Sequence, residues 1–189
     1  MERMVMYFDR PGEQNSQDCL TVVHKVLCEG NHGHVVVAST WGATGVHFAE
    51  ALRDSDANVV VVTHCAGFKE PNSFELSEEN RKRIIDAGAK VFTGTILTHS
   101  IETAFAAKFQ GMYPTHVVAA SLRRFGEGTK VCCEIVMMAA DAGLIPEGEE
   151  IIAVAGTGKG ADTVLIIRSA SSKRFFDLKV LEVLAKPRG

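Results

Sequence analysis

The chain has little that would suit a nucleic acid, a bilayer or an oxidising compartment. Its 189 residues carry 20 Lys and Arg against 23 Asp and Glu, a formal net charge of −3. The basic residues are dispersed, so the broad cationic face that neutralises a nucleic-acid backbone is missing and nucleic acid is not an expected partner. No apolar run approaches the roughly 20 residues needed to cross a bilayer, and residues 1–10 mix charged with apolar side chains without a long h-region. Neither membrane insertion nor export is expected, and a soluble cytoplasmic protein is. The five cysteines, Cys19, Cys28, Cys65, Cys132 and Cys133, are odd in number and irregular in spacing. That argues against a secreted disulfide framework and for a reducing compartment. CxxC, HExxH and EF-hand patterns are absent, and no metal is expected. Linkers, repeats and low-complexity stretches are missing too, so 1–189 reads as one domain, long enough for one substantial core.

What is present is alternation. Apolar runs rich in Val and Ile are separated by segments of helical period, the pattern of an α/β fold in which crossover helices cover both faces of a mostly parallel sheet, in three layers. Strands are expected over 4–8, 34–38, 58–63, 90–92, 150–155, 163–168 and about 177–184. Helices are expected over 16–29, from the 42–45 turn to Leu52, from a Ser77 cap to Gly88, and over 100–109, 115–125 and 129–142, with Thr115 as an N-cap. The short last connection, 169–173, predicts an antiparallel pairing at one edge.

In such sheets ligands bind beyond the carboxyl ends of the strands, where helix N-termini offer unpaired N–H groups and partial positive charge. Two loops have a fitting composition. Ser39, Thr40, Trp41, Gly42, Ala43, Thr44 and Gly45 stand between a strand and a helix, their hydroxyls suited to phosphate oxygens and their glycines to close backbone approach. Gly156, Thr157, Gly158, Lys159, Gly160, Ala161 and Asp162 follow the 150–155 strand, with a glycine-flanked cation suited to the same ligand. An ordinary N-cap and a plain β-turn are the structural alternatives for the two. The second loop misses both GxGxxG spacing and the Ser or Thr that follows a P-loop lysine, which disfavours a nucleotide hydrolase.

The 129–142 helix is apolar nearly all round, and Glu134 and Asp141 stand seven residues apart within it. Buried carboxylates need partners: a ligand for Glu134 and protein groups for Asp141 are the expectation, with a lysine, an arginine or amides as the alternative for Glu134. His64 and Cys65 follow the third strand near the same rim, where Gly67 allows a bend and Thr63 ends the strand. Adjacent strand residues face opposite ways, so His64 and Cys65 are weak as a catalytic pair. Trp41 and Phe68 supply flat apolar surface, for a planar ligand or for the core. No nucleophile with its base, triad or second-cofactor motif is legible.

Four segments, Tyr7-Phe8-Asp9-Arg10-Pro11-Gly12, Val35-Val36-Val37-Ala38-Ser39-Thr40-Trp41-Gly42, Lys130-Val131-Cys132-Cys133-Glu134-Ile135, and Gly160-Ala161-Asp162-Thr163 ahead of Arg168, form an ordered set with Met138-Ala139-Ala140-Asp141-Ala142-Gly143. Together they resemble a family of stand-alone proteins named after the pyruvate kinase carboxyl-terminal α/β domain, over nearly the whole chain. The resemblance implies that domain's sheet and flavin mononucleotide (FMN) as ligand. It implies a phosphate cradle of Ser39, Thr40, Gly42, Thr44 and Gly45, closure by residues 156–160, and Thr63, His64, Gly67 and Glu134 along the ribityl or ring region. Trp41 replaces an acceptable tyrosine and Lys159 an acceptable arginine. An FMN-binding protein, including a flavin-dependent oxidoreductase, is the leading expectation. A non-catalytic sensor of a phosphorylated metabolite such as a sugar phosphate is the alternative, since pyruvate kinase uses the related domain for a sugar bisphosphate effector. Without a catalytic barrel, kinase activity is not expected; homo-oligomerisation is compatible with either reading.

Overall fold

Residues 2–189 are described by a computed structural model, with Met1 outside it. Along the chain come β1 (Met6–Phe8), α1 (Ser16–Cys28), β2 (His34–Ala38), α2 (Ala43–Ala51), β3 (Asn58–Thr63), α3 (Glu78–Asp86), β4 (Lys90–Thr93), α4 (Ile101–Phe109), α5 (Pro114–Leu122), α6 (Glu127–Asp141), β5 (Glu150–Ala155), β6 (Thr163–Arg168) and β7 (Lys179–Pro187). The seven strands form one sheet in the order β1-β7-β6-β5-β2-β3-β4. All neighbours are parallel except at β6, which runs antiparallel to both β5 and β7. The expected antiparallel component is thus β6. It stands third from the sheet margin, because β7 adds beyond it and β1 then pairs parallel to β7, with Met6 opposite Ala185.

The central strands are buried on both faces, which is why Val35-Val36-Val37 and Val59-Val60-Val61-Val62 read as continuous runs rather than alternating ones. Odd and even residues enter different cores. Val35, Val37, Val61, Ile152 and Val154 pack with Val23 of α1, Phe48 of α2 and Ile84 of α3 on one face. Val36, Val60, Ile151 and Ala153 pack with Cys132, Val136 and Ala139 of α6 on the other. Three layers result, each large side chain contributing about 1.5–3 kcal/mol by burial.

Helix ends follow local chemistry. Ser77 Oγ accepts the Asn80 N–H at 3.2 Å, the expected cap. Thr115 does not cap α5: Pro114 occupies its first turn and Tyr113 precedes it. The Thr115 hydroxyl and amide instead both donate to Glu102 of α4, pinning two helices together. α6 starts at Glu127, two residues before the expected Thr129, because Gly126 at φ 117° already turns the chain in from the short 3-10 turn at Arg123–Phe125. α4 contains no buried residue and leaves Ile101, Phe105 and Phe109 exposed. Among the described residues no helix is long and apolar enough to cross a membrane.

Candidate functional site

From β2 the chain moves to β3 on one side, while β5 pairs with β2 on the other. The carboxyl ends of β2 and β5 therefore flank a topological switch point, where neighbouring loops diverge and leave a crevice. A cleft of ≈ 1220 Å³ opens there, lined by both glycine-rich loops, the ends of β2 and β3, α6 and residues of the 13–17 turn. Of the residues singled out in the sequence, Ser39, Thr40, Trp41, Ala43, Thr44, Thr63, His64, Phe68, Glu134, Gly156, Thr157, Gly158, Lys159 and Gly160 line it. Gly42, Gly45, Gly67 and Asp162 stand outside its wall.

The first loop is built around capping. Ser39 is buried, and its Oγ accepts the Gly45 N–H at 2.9 Å, so this hydroxyl closes the first turn of α2. The Thr63 hydroxyl donates to the Thr40 carbonyl at 3.2 Å, tying the loop to β3. Gly42 precedes α2 at φ +98°, and a Cβ there would meet Asn80 Cβ at 2.5 Å. Asn80 uses that proximity, donating to the Trp41 carbonyl at 2.9 Å. Gly45 lets α2 approach the sheet, since a Cβ would meet Val61 Cγ1 at 2.6 Å. Both glycines thus serve packing, and what faces the cleft is the start of α2 at Ala43 and Thr44, whose N–H groups have no partner within the helix.

The second loop is held by Asp162, which is fully buried. Its Oδ2 accepts from the Gly12 and Thr157 amides at 2.9 and 3.0 Å, and its Oδ1 accepts the Thr163 hydroxyl at 2.8 Å. With protein donors on both oxygens, Asp162 fixes the loop and the 12–16 turn rather than reaching a ligand. Gly160 (φ +72°) is where the two segments touch: a Cβ would fall 2.3 Å from Glu13 Cα. Ser16 Oγ completes the join by accepting the Ala161 N–H at 2.9 Å.

On the α6 wall, Glu134 is buried and has protein partners. Its Oε1 accepts the Thr98 amide and hydroxyl at 2.8 and 2.7 Å, while its Oε2 pairs with Lys130, one turn earlier and equally buried. The lysine and amide alternatives for this carboxylate hold together, and Glu134 also borders the cleft. Asp141 lies at the exposed end of α6, accepting the Ser172 N–H at 2.8 Å. His99 stands beside Thr98, its Nδ1 3.2 Å from Thr98 Oγ1; burial and then the Lys130 charge push its pKa below the ordinary histidine value.

Aromatic and cationic side chains complete the lining. Trp41 is 41% exposed, with Lys69 Nζ 5.1 Å and Lys159 Nζ 6.0 Å from its ring centroid. The His64 ring lies against Phe68 at 4.2 Å, and its Nε2 is 3.2 Å from Thr40 Oγ1. His64 Nδ1 is 3.5 Å from Glu75 Oε2. Three of the five cysteines are held as thiols: burial pushes Cys19 and Cys133 up to about 12 and Cys132 well above its ordinary value. Sequence reading missed Lys69, Glu75, Thr98, His99 and Lys130. Only Lys130 had a periodic signal, four residues before Glu134 in an otherwise apolar helix; the others come from loops without fixed spacing.

The fold is a three-layer α/β domain with a cleft at a sheet switch point. Residues 18–167 match the family described as pyruvate kinase, alpha/beta domain, and the chain belongs to that family. Weaker likenesses reach O-ureido-L-serine synthase, at 20% identity and TM-score 0.33 over 69% of this chain, which spans 48% of that one. They also reach diaminopropionate ammonia lyase from Escherichia coli, at 14% identity and TM-score 0.31 over 71% of this chain and 38% of that one. The chain thus spans about half or less of these neighbours' length, and at such scores they carry no argument about its chemistry.

Proposed function

We propose that the cleft binds a phosphorylated small molecule, with FMN as its occupant. The supporting observation is the juxtaposition at one switch point of the α2 N-terminus, the Lys159 and Lys69 cations, and flat surfaces from Trp41, Phe68 and His64. The donor set fits FMN: first-turn amides, the Thr44 and Thr157 side chains and the two lysines suit the phosphate. The aromatic wall suits the ring. At ≈ 1220 Å³ the cleft exceeds the ~300–1,000 Å³ of common small-ligand sites, so a mononucleotide leaves room for a second molecule.

Bound FMN would supply hydride or one-electron transfer. Ser39, Thr63 and Asp162 then keep the two loops in register, and the Lys130–Glu134 pair fixes the far wall. A flavoprotein is the reading these features support. Sugar phosphates remain the second reading, since the same amides and lysines suit any phosphomonoester and the related pyruvate kinase domain takes a sugar bisphosphate.

Titration of FMN into the protein should quench its fluorescence at micromolar concentration. Lys159→Ala and Thr44→Val should each weaken binding about tenfold, as expected when a charge-assisted or single hydrogen bond is lost. Absence of quenching, together with a larger thermal shift from sugar phosphates than from FMN, would replace the flavin by the metabolite.

A further inference from the structure

Glu75 is the least explained charged group of the molecule. It lies in the loop between β3 and α3, its side chain is only 6% exposed, and neither carboxylate oxygen has a hydrogen-bond donor. A buried carboxylate without a donor costs several kcal/mol unless a cation or shared proton offsets it. Among the described residues, the basic group within 4.0 Å is His64, whose Nδ1 is 3.5 Å away and is itself buried without a hydrogen bond. On its other side the imidazole meets the hydroxyl of Thr40, 3.2 Å from Nε2, in the ligand-facing loop. The Phe68 ring packs against the imidazole, tilted by 49° with centroids 4.2 Å apart.

We propose that Thr40, His64 and Glu75 form a proton relay in which His64 is the acid–base group of the cleft, serving a phosphorylated ligand or co-substrate whose reacting atom gains or loses a proton. The proposal rests on the phosphate-binding reading above. Glu75 is a positioning residue: it selects the tautomer with the proton on Nδ1 and holds the charge when Nε2 is protonated. In the neutral state Nε2 accepts the Thr40 O–H. Binding of an anionic ligand draws a proton from solvent onto Nε2, which then donates to Thr40 Oγ1 and turns the Thr40 O–H towards the ligand. Delivery is a double transfer: Thr40 gives its proton to the ligand atom and takes one from Nε2. Threonine is left as it was and His64 neutral, so one proton has moved and no electrons.

The charges facing His64 decide the direction of its response. Glu75 from its own loop and Glu134 from α6 favour the cation, while Lys69 in the loop disfavours it and burial outweighs the rest, holding His64 below the ordinary histidine value. His99, before α4, is near enough for the His64 charge to lower its pKa. A ligand phosphate adds negative charge and so raises the His64 pKa, giving proton uptake on binding and binding that tightens as pH falls through the bound-state pKa and levels off below the ligand-free one, itself under the ordinary histidine value.

Two measurements test this. NMR titration of ligand-free protein should show His64 as the Nδ1–H tautomer, and Glu75→Gln should move its midpoint to lower pH, because the carboxylate that favours the cation is gone. An Nε2–H tautomer, or a midpoint unmoved by Glu75→Gln, overturns the relay whatever the ligand. Calorimetry of FMN binding in buffers of different ionisation enthalpy should then show more proton uptake in the wild type than in His64→Asn. The proton taken up by the phosphate itself cancels in that difference. Equal uptake overturns the relay. Failure of FMN to bind either protein overturns the FMN assignment instead, and the NMR result still decides the dyad.

Discussion

Lys130 and Glu134 are each at most 5% exposed; they pair across one turn of α6, and Thr98 donates to the other oxygen of Glu134. Removing one partner leaves the other as an uncompensated charge, so Lys130→Met should lower the unfolding free energy by about 3–5 kcal/mol in urea titrations. Replacing both, with Lys130→Met and Glu134→Leu, should cost less, about 1–3 kcal/mol, because what remains is the Thr98 amide without its acceptor. A double variant weaker than the single one would mean that the pair itself stabilises the fold. Sequence alone placed a carboxylate in an apolar helix and so its need for a partner. It did not name Thr98, which reaches Glu134 from a loop 36 positions earlier, a distance that no local period encodes.

The two glycine-rich loops differ in what holds them. The first is capped from within by Ser39, whereas the second depends on Asp162 and on contact with the 12–16 turn. Asp162→Ala should therefore orphan three donors, lower stability by about 3 kcal/mol and weaken ligand binding, measured by urea unfolding and FMN titration. Unchanged binding would separate the loop from the site. The elements themselves were legible because each carries its own period and punctuation: β2, β3, β5 and β6 match the expected spans, and Ser77 caps α3. Where expectation failed, at Thr115, a proline in the first turn and a tertiary contact with Glu102 won over the local capping preference. α4, with nothing buried, should exchange its amide protons much faster than α6, whose residues 128–130 and 132–139 are buried. Equal protection in hydrogen exchange would mean that α4 is covered in solution.

At the scale of the molecule the site is an assembly problem. Composition marked the two loops, and the strand-end rule placed them on one rim. That β5 pairs with β2, so that the rims coincide, is a long-range pairing that follows from the return of the chain through α4, α5 and α6. The same assembly buries histidines and so sets a pH dependence. In the folded protein His64 and His99 titrate below the ordinary histidine value of about 6.5, chiefly because burial disfavours the cation. As pH drops past 6.5 the unfolded chain takes up protons that the folded one still refuses. Their stabilising contribution is complete above that pH and is lost as pH falls through the two folded values. The midpoint of thermal unfolding should thus decline between pH 7.5 and pH 5.5, roughly two decades of acidity chosen above the ordinary carboxylate range. His99→Gln should flatten that decline, because its side chain takes up no proton in either state. A midpoint that stays level or rises on acidification would mean that the two imidazoles are paired with charge in the fold more strongly than they are desolvated.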